Sequence, residues 1–227
     1  MTTNFPSSID NFTNPTSSST MASPSHSAQH ADVNDAVEAL QAKVGVDGSA
    51  DTESLDYKVA QQGLVLIAAH QVSSGTASFS VNDCFTSKFH CYRIIVGCRD
   101  LSNNLIMRMR ASGTDELSAS YYYASIGRSS GGSTYTRDSN GNTQFEIIDR
   151  NIAASVARHV ANFDLWFPAA IEQTTMMGNR QTYYSGTNYV SYEMGGTLNT
   201  TTQYDGFTLT LGGTFSGTVN VYGYNNG

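Results

Sequence analysis

"DGFTLTLGGTFSGTVNVYG", Asp205–Gly223, alternates by side-chain type. Phe207, Leu209 and Leu211 share one parity, and Thr208 and Thr210 the other. That period of two belongs to a strand with one buried face. "GTVNVYG", 217–223, reads as a second strand, and the "GGTFSG" between them (212–217) carries the glycines that turns with positive φ require. Similar apolar runs separated by turn clusters extend back to Leu64, at 64–70, 76–82, 88–98, 105–112, 119–126, 143–149, 157–167, 174–181 and 189–196. Further turns are read at "SSGGST" (129–134), "DSNGNT" (138–143) and "YSGTN" (184–188). About ten short strands of this kind predict a mainly β fold, an antiparallel β-sandwich of the jelly-roll kind.

The remainder of the chain has a different character. Charged residues make up 14% of the 227, and 20 glycines accompany a surface of Ser, Thr, Asn and Tyr, which suits turn-rich antiparallel structure. The length allows one domain of about 150 residues plus a shorter appendage. The net charge of −7 is concentrated: residues 31–58 hold seven acids against two lysines. Beyond them, nine arginines are scattered rather than clustered, so no stripe exists for a phosphate backbone, and nucleic acid is not an expected partner. No apolar run reaches the roughly 20 residues that span a bilayer. The amino terminus lacks the basic and apolar regions of an export signal, so synthesis and folding in a cytoplasm are expected.

"SPSHSAQHADVNDAVEALQAKVGV", Ser23–Val46, predicts a helix beginning with Ser23 as N-cap and Pro24 in the first turn, and ending at Gly45. Val33, Val37, Leu40 and Val44 are spaced 4, 3 and 4, and the rhythm continues back through His30 to His26. Two seam positions per seven is the geometry of a coiled coil, although about three heptads are marginal alone. The other reading is a single amphipathic helix docked on the β domain. A second short acidic helix is expected at 52–62, with Leu55 and Val59 on one face. The chain thus divides into an extended arm (1–22), a helical segment (23–62) and a β domain (63–227). Within the arm, Phe5, Ile9 and Phe12 form an apolar spacing that suits a partner's groove.

Cys84, Cys91 and Cys98 are seven apart, a spacing that makes neither a zinc ribbon nor a redox pair; they are expected as buried apolar residues. No catalytic motif is present. "HSAQH" lacks a glutamate to activate metal-bound water, and there is no nucleophile elbow, phosphate loop or dinucleotide fingerprint. His159 and Asp164 with a serine, or pairs drawn from Glu146, Asp149, Asp164 and Glu172, are the remaining catalytic combinations. A non-catalytic module without a cofactor is the expected outcome. Tyrosines concentrate in two segments, and Tyr121, Tyr123, Tyr183 and Tyr184 are candidate contacts for a surface carbohydrate, against cross-strand packing as the alternative.

Residues 5–46 carry Phe-Pro, Ile-Asp, Phe-Thr-Asn-Pro, His-x-x-x-His and Asn-Asp-Ala-x-Glu-Ala in that order. This stretch resembles the amino-terminal segments of tailed-bacteriophage virion proteins, and residues 204–227 are similar to the last strands of β-sandwich tips on phage appendages. The resemblance implies that Phe5, Pro6, Ile9, Phe12 and Pro15 attach the chain to other virion proteins of the tail or capsid. It implies a homotrimer with His26, His30, Val33, Val37, Leu40 and Val44 as the seam, displayed on the virion surface. The chain has no long shaft, so a short tail or head fibre is implied; a capsid decoration protein and a free carbohydrate-binding lectin are the alternatives. On a three-fold axis, His26 and His30 would fix register as polar seam residues or, less directly, hold a divalent metal. Protonating six imidazoles together would loosen such a bundle below about pH 6.

Overall fold

The computed structural model describes residues 18, 20–22, 25–60, 63–149, 158–185 and 188–225. The chain divides between Gln62 and Gly63 into two compact units. In the first, helix α1 runs His26–Val44 and helix α2 runs Leu55–Ala60. The expected cap and first turn, Ser23 and Pro24, lie outside the described residues; the helix starts at His26, and the Ser25 hydroxyl lies 3.0 Å from that of Ser27 instead of capping a backbone amide. The carboxyl end is as the sequence predicts. Gly45 turns the chain at φ +85°, and its amide donates to the Gln41 carbonyl at 2.8 Å. Helix α2 is shorter than periodicity suggests, because Asp51 and Ser54 build a turn in place of its first residues. Asp51 Oδ1 accepts the Glu53 amide at 3.0 Å, and Ser54 Oγ accepts the Tyr57 amide at 3.2 Å as an N-cap. No helix among the described residues is long and apolar enough to cross a membrane.

The second unit is mainly β, a single curled antiparallel sheet. Its strands are β1 (Leu64–Val81), β2 (Cys91–Arg99), β3 (Leu105–Ala111), β4 (Thr114–Asp115), β5 (Tyr121–Ser129), β6 (Thr134–Asn142), β7 (Phe145–Ile148), β8 (Arg158–Trp166), β9 (Thr174–Ser185), β10 (Asn188–Leu198) and β11 (Gly206–Tyr224). The hydrogen-bonded order is β4-β3-β11-β2-β8-β9-β10-β5-β6, with β1 also on β11 and β7 on β3. Strand β11 is the hub. One edge pairs with β1 along most of its length; the other pairs with β3 through Gly206–Thr210 and with β2 through Ser216–Gly223. Each half of β11 therefore belongs to a different part of the sheet, and the sheet curls around what lies between.

That hub corrects the reading of "GGTFSG" as a turn: it is strand interior. The register between β1 and β11 shifts at Val72/Thr76 and again at Thr76/Ser78, with Gly75 at φ +85° in the irregular stretch. The Gly and Ser residues on both strands let two long strands bend together without separating. The run 134–142, which takes in most of the "DSNGNT" stretch read as a turn, is also a strand, paired with β5 along its length save for one register shift. Only the first turn cluster makes a hairpin there, closed by the Ser129 amide on the Ser133 carbonyl at 2.9 Å; Gly141, at φ +80°, accommodates a register shift.

The interior is lined by alternate residues. Tyr92, Ile94 and Val96 of β2, Phe163 and Leu165 of β8, and Phe207, Leu209, Val219 and Val221 of β11 are fully enclosed, together with Leu105, Met107 and Met109 of β3. The alternation predicted for Phe207, Leu209 and Leu211 holds. Thr208, on the other face, is buried as well, through its hydroxyl contacts to Asp115 Oδ1 at 2.7 Å and Ser80 Oγ at 3.0 Å.

All three cysteines are free and buried, Cys98 within the core and Cys91, seven residues away, outside that cluster on the opposite face of β2. Burial pushes each thiol up to about 12. The native protein at pH 8 is therefore expected to leave a thiol-specific disulfide reagent unreacted, and the denatured chain to titrate three equivalents. Rapid reaction of one thiol in the native state would contradict the packing described.

Candidate interaction surfaces

In α1 the residues read as a seam line up as a continuous exposed stripe. Val33, Val37, Leu40 and Val44 are 49%, 46%, 52% and 45% exposed, large apolar side chains left in water within a single chain. His26 and His30 occupy the first turn of the same stripe, with Nε2 atoms 3.0 Å apart and rings edge to face at 4.4 Å. One imidazole donates and the other accepts, which occupies the lone pair that a metal at Nε2 would need. Among the described residues no group of three or more His, Cys, Asp or Glu side chains is arranged to hold a metal. In α2, Leu55 and Val59 are likewise exposed.

The β unit carries a second uncovered apolar surface, on the face of the sheet away from the core. Cross-strand register places its residues in rows. One row runs Leu66, Tyr222, Arg93, Asp164, Met177, Gly195, Ala124 and Asp138, from β1 across to β6. Leu64 and Trp166 lie on one side of that row and Val160 and Ile126 on the other, all exposed. At the centre, Arg93 holds Asp164 in a bidentate pair at 2.8 and 2.9 Å, and the Tyr224 hydroxyl donates to the same carboxylate at 3.1 Å. The Asp164 bond raises the Arg93 guanidinium above its ordinary range, and burial, followed by that same carboxylate, raises the Tyr224 phenol.

On the inner face a polar cluster interrupts the core. Arg180 of β9 is 1% exposed. Its Nη2 lies 3.2 Å from Glu146 Oε1 and donates to Ser125 Oγ at 3.2 Å, its Nη1 donates to the Glu146 carbonyl at 3.1 Å, and its guanidinium stacks 4.5 Å from the Tyr192 ring. Nearby, Arg137 Nε reaches Asp149 Oδ2 at 2.8 Å, and that bond raises the guanidinium. The candidate catalytic combinations are therefore dispersed. His159 faces inward and Asp164 outward on β8, so they cannot share a triad, while Glu146, Asp149 and Asp164 each meet a different arginine. Glu172 lies exposed between β8 and β9.

The tyrosine assignment needs correction. Tyr121 is fully buried: its hydroxyl accepts the Met109 amide at 3.0 Å, donates to the Glu116 carbonyl at 3.2 Å, and its ring meets Phe145 edge-on at 4.8 Å. It ties β5 to β3 and cannot touch a glycan. Tyr123 is partly buried on the same side, and the exposed ring of the three is Tyr122. Tyr183 is partly buried; the Tyr184 side chain and the arm residues Phe5, Pro6, Ile9, Phe12 and Pro15 lie outside the described residues. Sequence reasoning missed both the Arg180 cluster and the outer sheet face. The second had a signal: runs such as "LVLI" and "DLWF" place large apolar residues on both parities of a strand. No protein-family model matches the chain, and no curated protein and no solved structure matches it either.

Proposed function

We propose that this chain is a structural component of a tailed-phage virion, a short trimeric fibre whose arm attaches to other virion proteins and whose β domain, a jelly-roll-like sandwich, is displayed toward the host surface. The exposed seam of α1 is the observation that carries this reading: four half-exposed Val and Leu side chains at coiled-coil spacing, in a helix of 19 residues. Each CH₂ that assembly removes from water is worth roughly 0.8 kcal/mol. A 19-residue helix gains little from its own hydrogen bonds, so partners would stabilise it. The sandwich reading is supported by the hub strand β11, which lends its two halves to different parts of the sheet, and by Tyr121 bridging β5 and β3. The role assigned is assembly and attachment without a catalytic step, at the virion surface. The resemblance of residues 5–46 to phage virion arms supplies the setting.

Deletion of residues 1–22 tests the anchoring role. The shortened chain is expected to keep its circular dichroism and thermal transition while failing to enter virions. Normal incorporation of the shortened chain would refute an anchor in this segment.

A further inference from the structure

The outer face of the β sheet has no place in the reading above, which assigns assembly to α1. Six large apolar side chains on one face, among them Leu66, Trp166 and Met177 at 56%, 42% and 62% exposure, are more than a displayed domain needs to leave in water. We infer that this face is a second self-association surface, covered in the assembled protein by the β domain of another copy of the same chain. The inference takes the number of copies from the trimer reading but stands on its own geometry.

Three features favour a second copy as the occupant. The first is charge. The centre of the face is an Arg93–Asp164 pair closed within the chain, so copies can approach without setting like charges against each other. The remaining charged groups lie toward the margins, Arg99 and Arg158 at the ends of β2 and β8, and Arg128, Asp138 and Glu193 toward the β5–β6 edge. The second is extent. Eight adjacent strands, from β1 to β6, span roughly 34 Å at the usual strand spacing, and four alternate-residue rows run roughly 20 Å along them. That footprint approaches the roughly 800 Å² per partner of a stable protein interface. The third is relief. Met177 stands as a knob beside hollows of about 630 and 430 Å³ that share Ala124 and Gly195 as floor. The same face thus offers both a projection and a recess, so that the knob of one copy can enter the hollow of the next around a three-fold ring, as a head-to-tail contact requires.

Trp166 is the one tryptophan in the chain and lies on this face, so the wild-type protein carries its own probe. Acrylamide quenching of its fluorescence, measured on the full-length protein beside light scattering over a dilution series, tests the inference. The expected result is a trimeric mass with quenching several-fold weaker than after dilution to the single chain. Met177→Glu is expected to shift dissociation to at least tenfold higher concentration while the thermal transition of the β domain is retained. A trimer in which Trp166 is quenched as freely as in the single chain overturns this inference and leaves the helical seam standing. A single chain at every concentration overturns both.

Discussion

Replacing Arg180 with alanine is expected to destabilise the β domain by about 3–5 kcal/mol, the cost of leaving one partner of a buried ion pair alone. The size follows from the site. Arg180 is 1% exposed and Glu146 is 12% exposed at its side chain, so neither charge is hydrated in compensation. Removing the guanidinium strips Ser125 Oγ and the Glu146 carbonyl of a donor, unstacks Tyr192, and leaves the Glu146 carboxylate with one bond, from Asn104 Nδ2 at 2.9 Å. The double replacement Arg180→Met with Glu146→Leu is expected to recover most of the loss, because a matched apolar pair carries no desolvation cost. Urea unfolding of the three proteins measures both effects. A loss below about 1 kcal/mol for Arg180→Ala would mean that water reaches the cluster and that it does not act as a buried unit.

The second large effect is expected in the helix. Val37→Asp combined with Leu40→Asp should shift dissociation of the assembled protein to far higher concentration than the wild type requires. Three copies of two aspartates would bring six carboxylates toward one axis. Each would lose water without gaining a cation, since the seam otherwise holds only Val33, Val44 and the two histidines. The β unit has a separate core, so its thermal transition should survive the change. Light scattering and a melt on the same sample measure the two halves of this prediction. A variant that remains assembled with unchanged dissociation would remove the α1 seam from the interface.

These effects fall on parts of the molecule that were unequally legible in the sequence. The exposed stripe of α1 was legible because residue spacing is a local pattern, and the end of α1 because Gly45 meets a local need for positive φ. Likewise Phe207, Leu209 and Leu211 announce a buried face by parity alone. "GGTFSG" misled because a glycine that permits a turn equally permits a bend inside a strand, and the choice depends on the partner β1, more than 130 residues distant in sequence, whose register shifts opposite it. Strand β6 was hidden for a related reason: its residues are polar, and it exists through pairing with β5. For Tyr121 the parity was right and the side wrong. Alternation separates Tyr121 and Tyr123 from Tyr122 but does not say which set meets Phe145. Arg180 carried no local signal, since its partners Glu146, Ser125 and Tyr192 come from three other strands.

Self-association is the claim on which the functional reading depends, and the solution mass of the full-length protein across a dilution series tests it most directly. A stable mass three times that of the chain, persisting over a wide range of concentration, is the predicted result. A mass equal to that of one chain at the highest attainable concentration would contradict it.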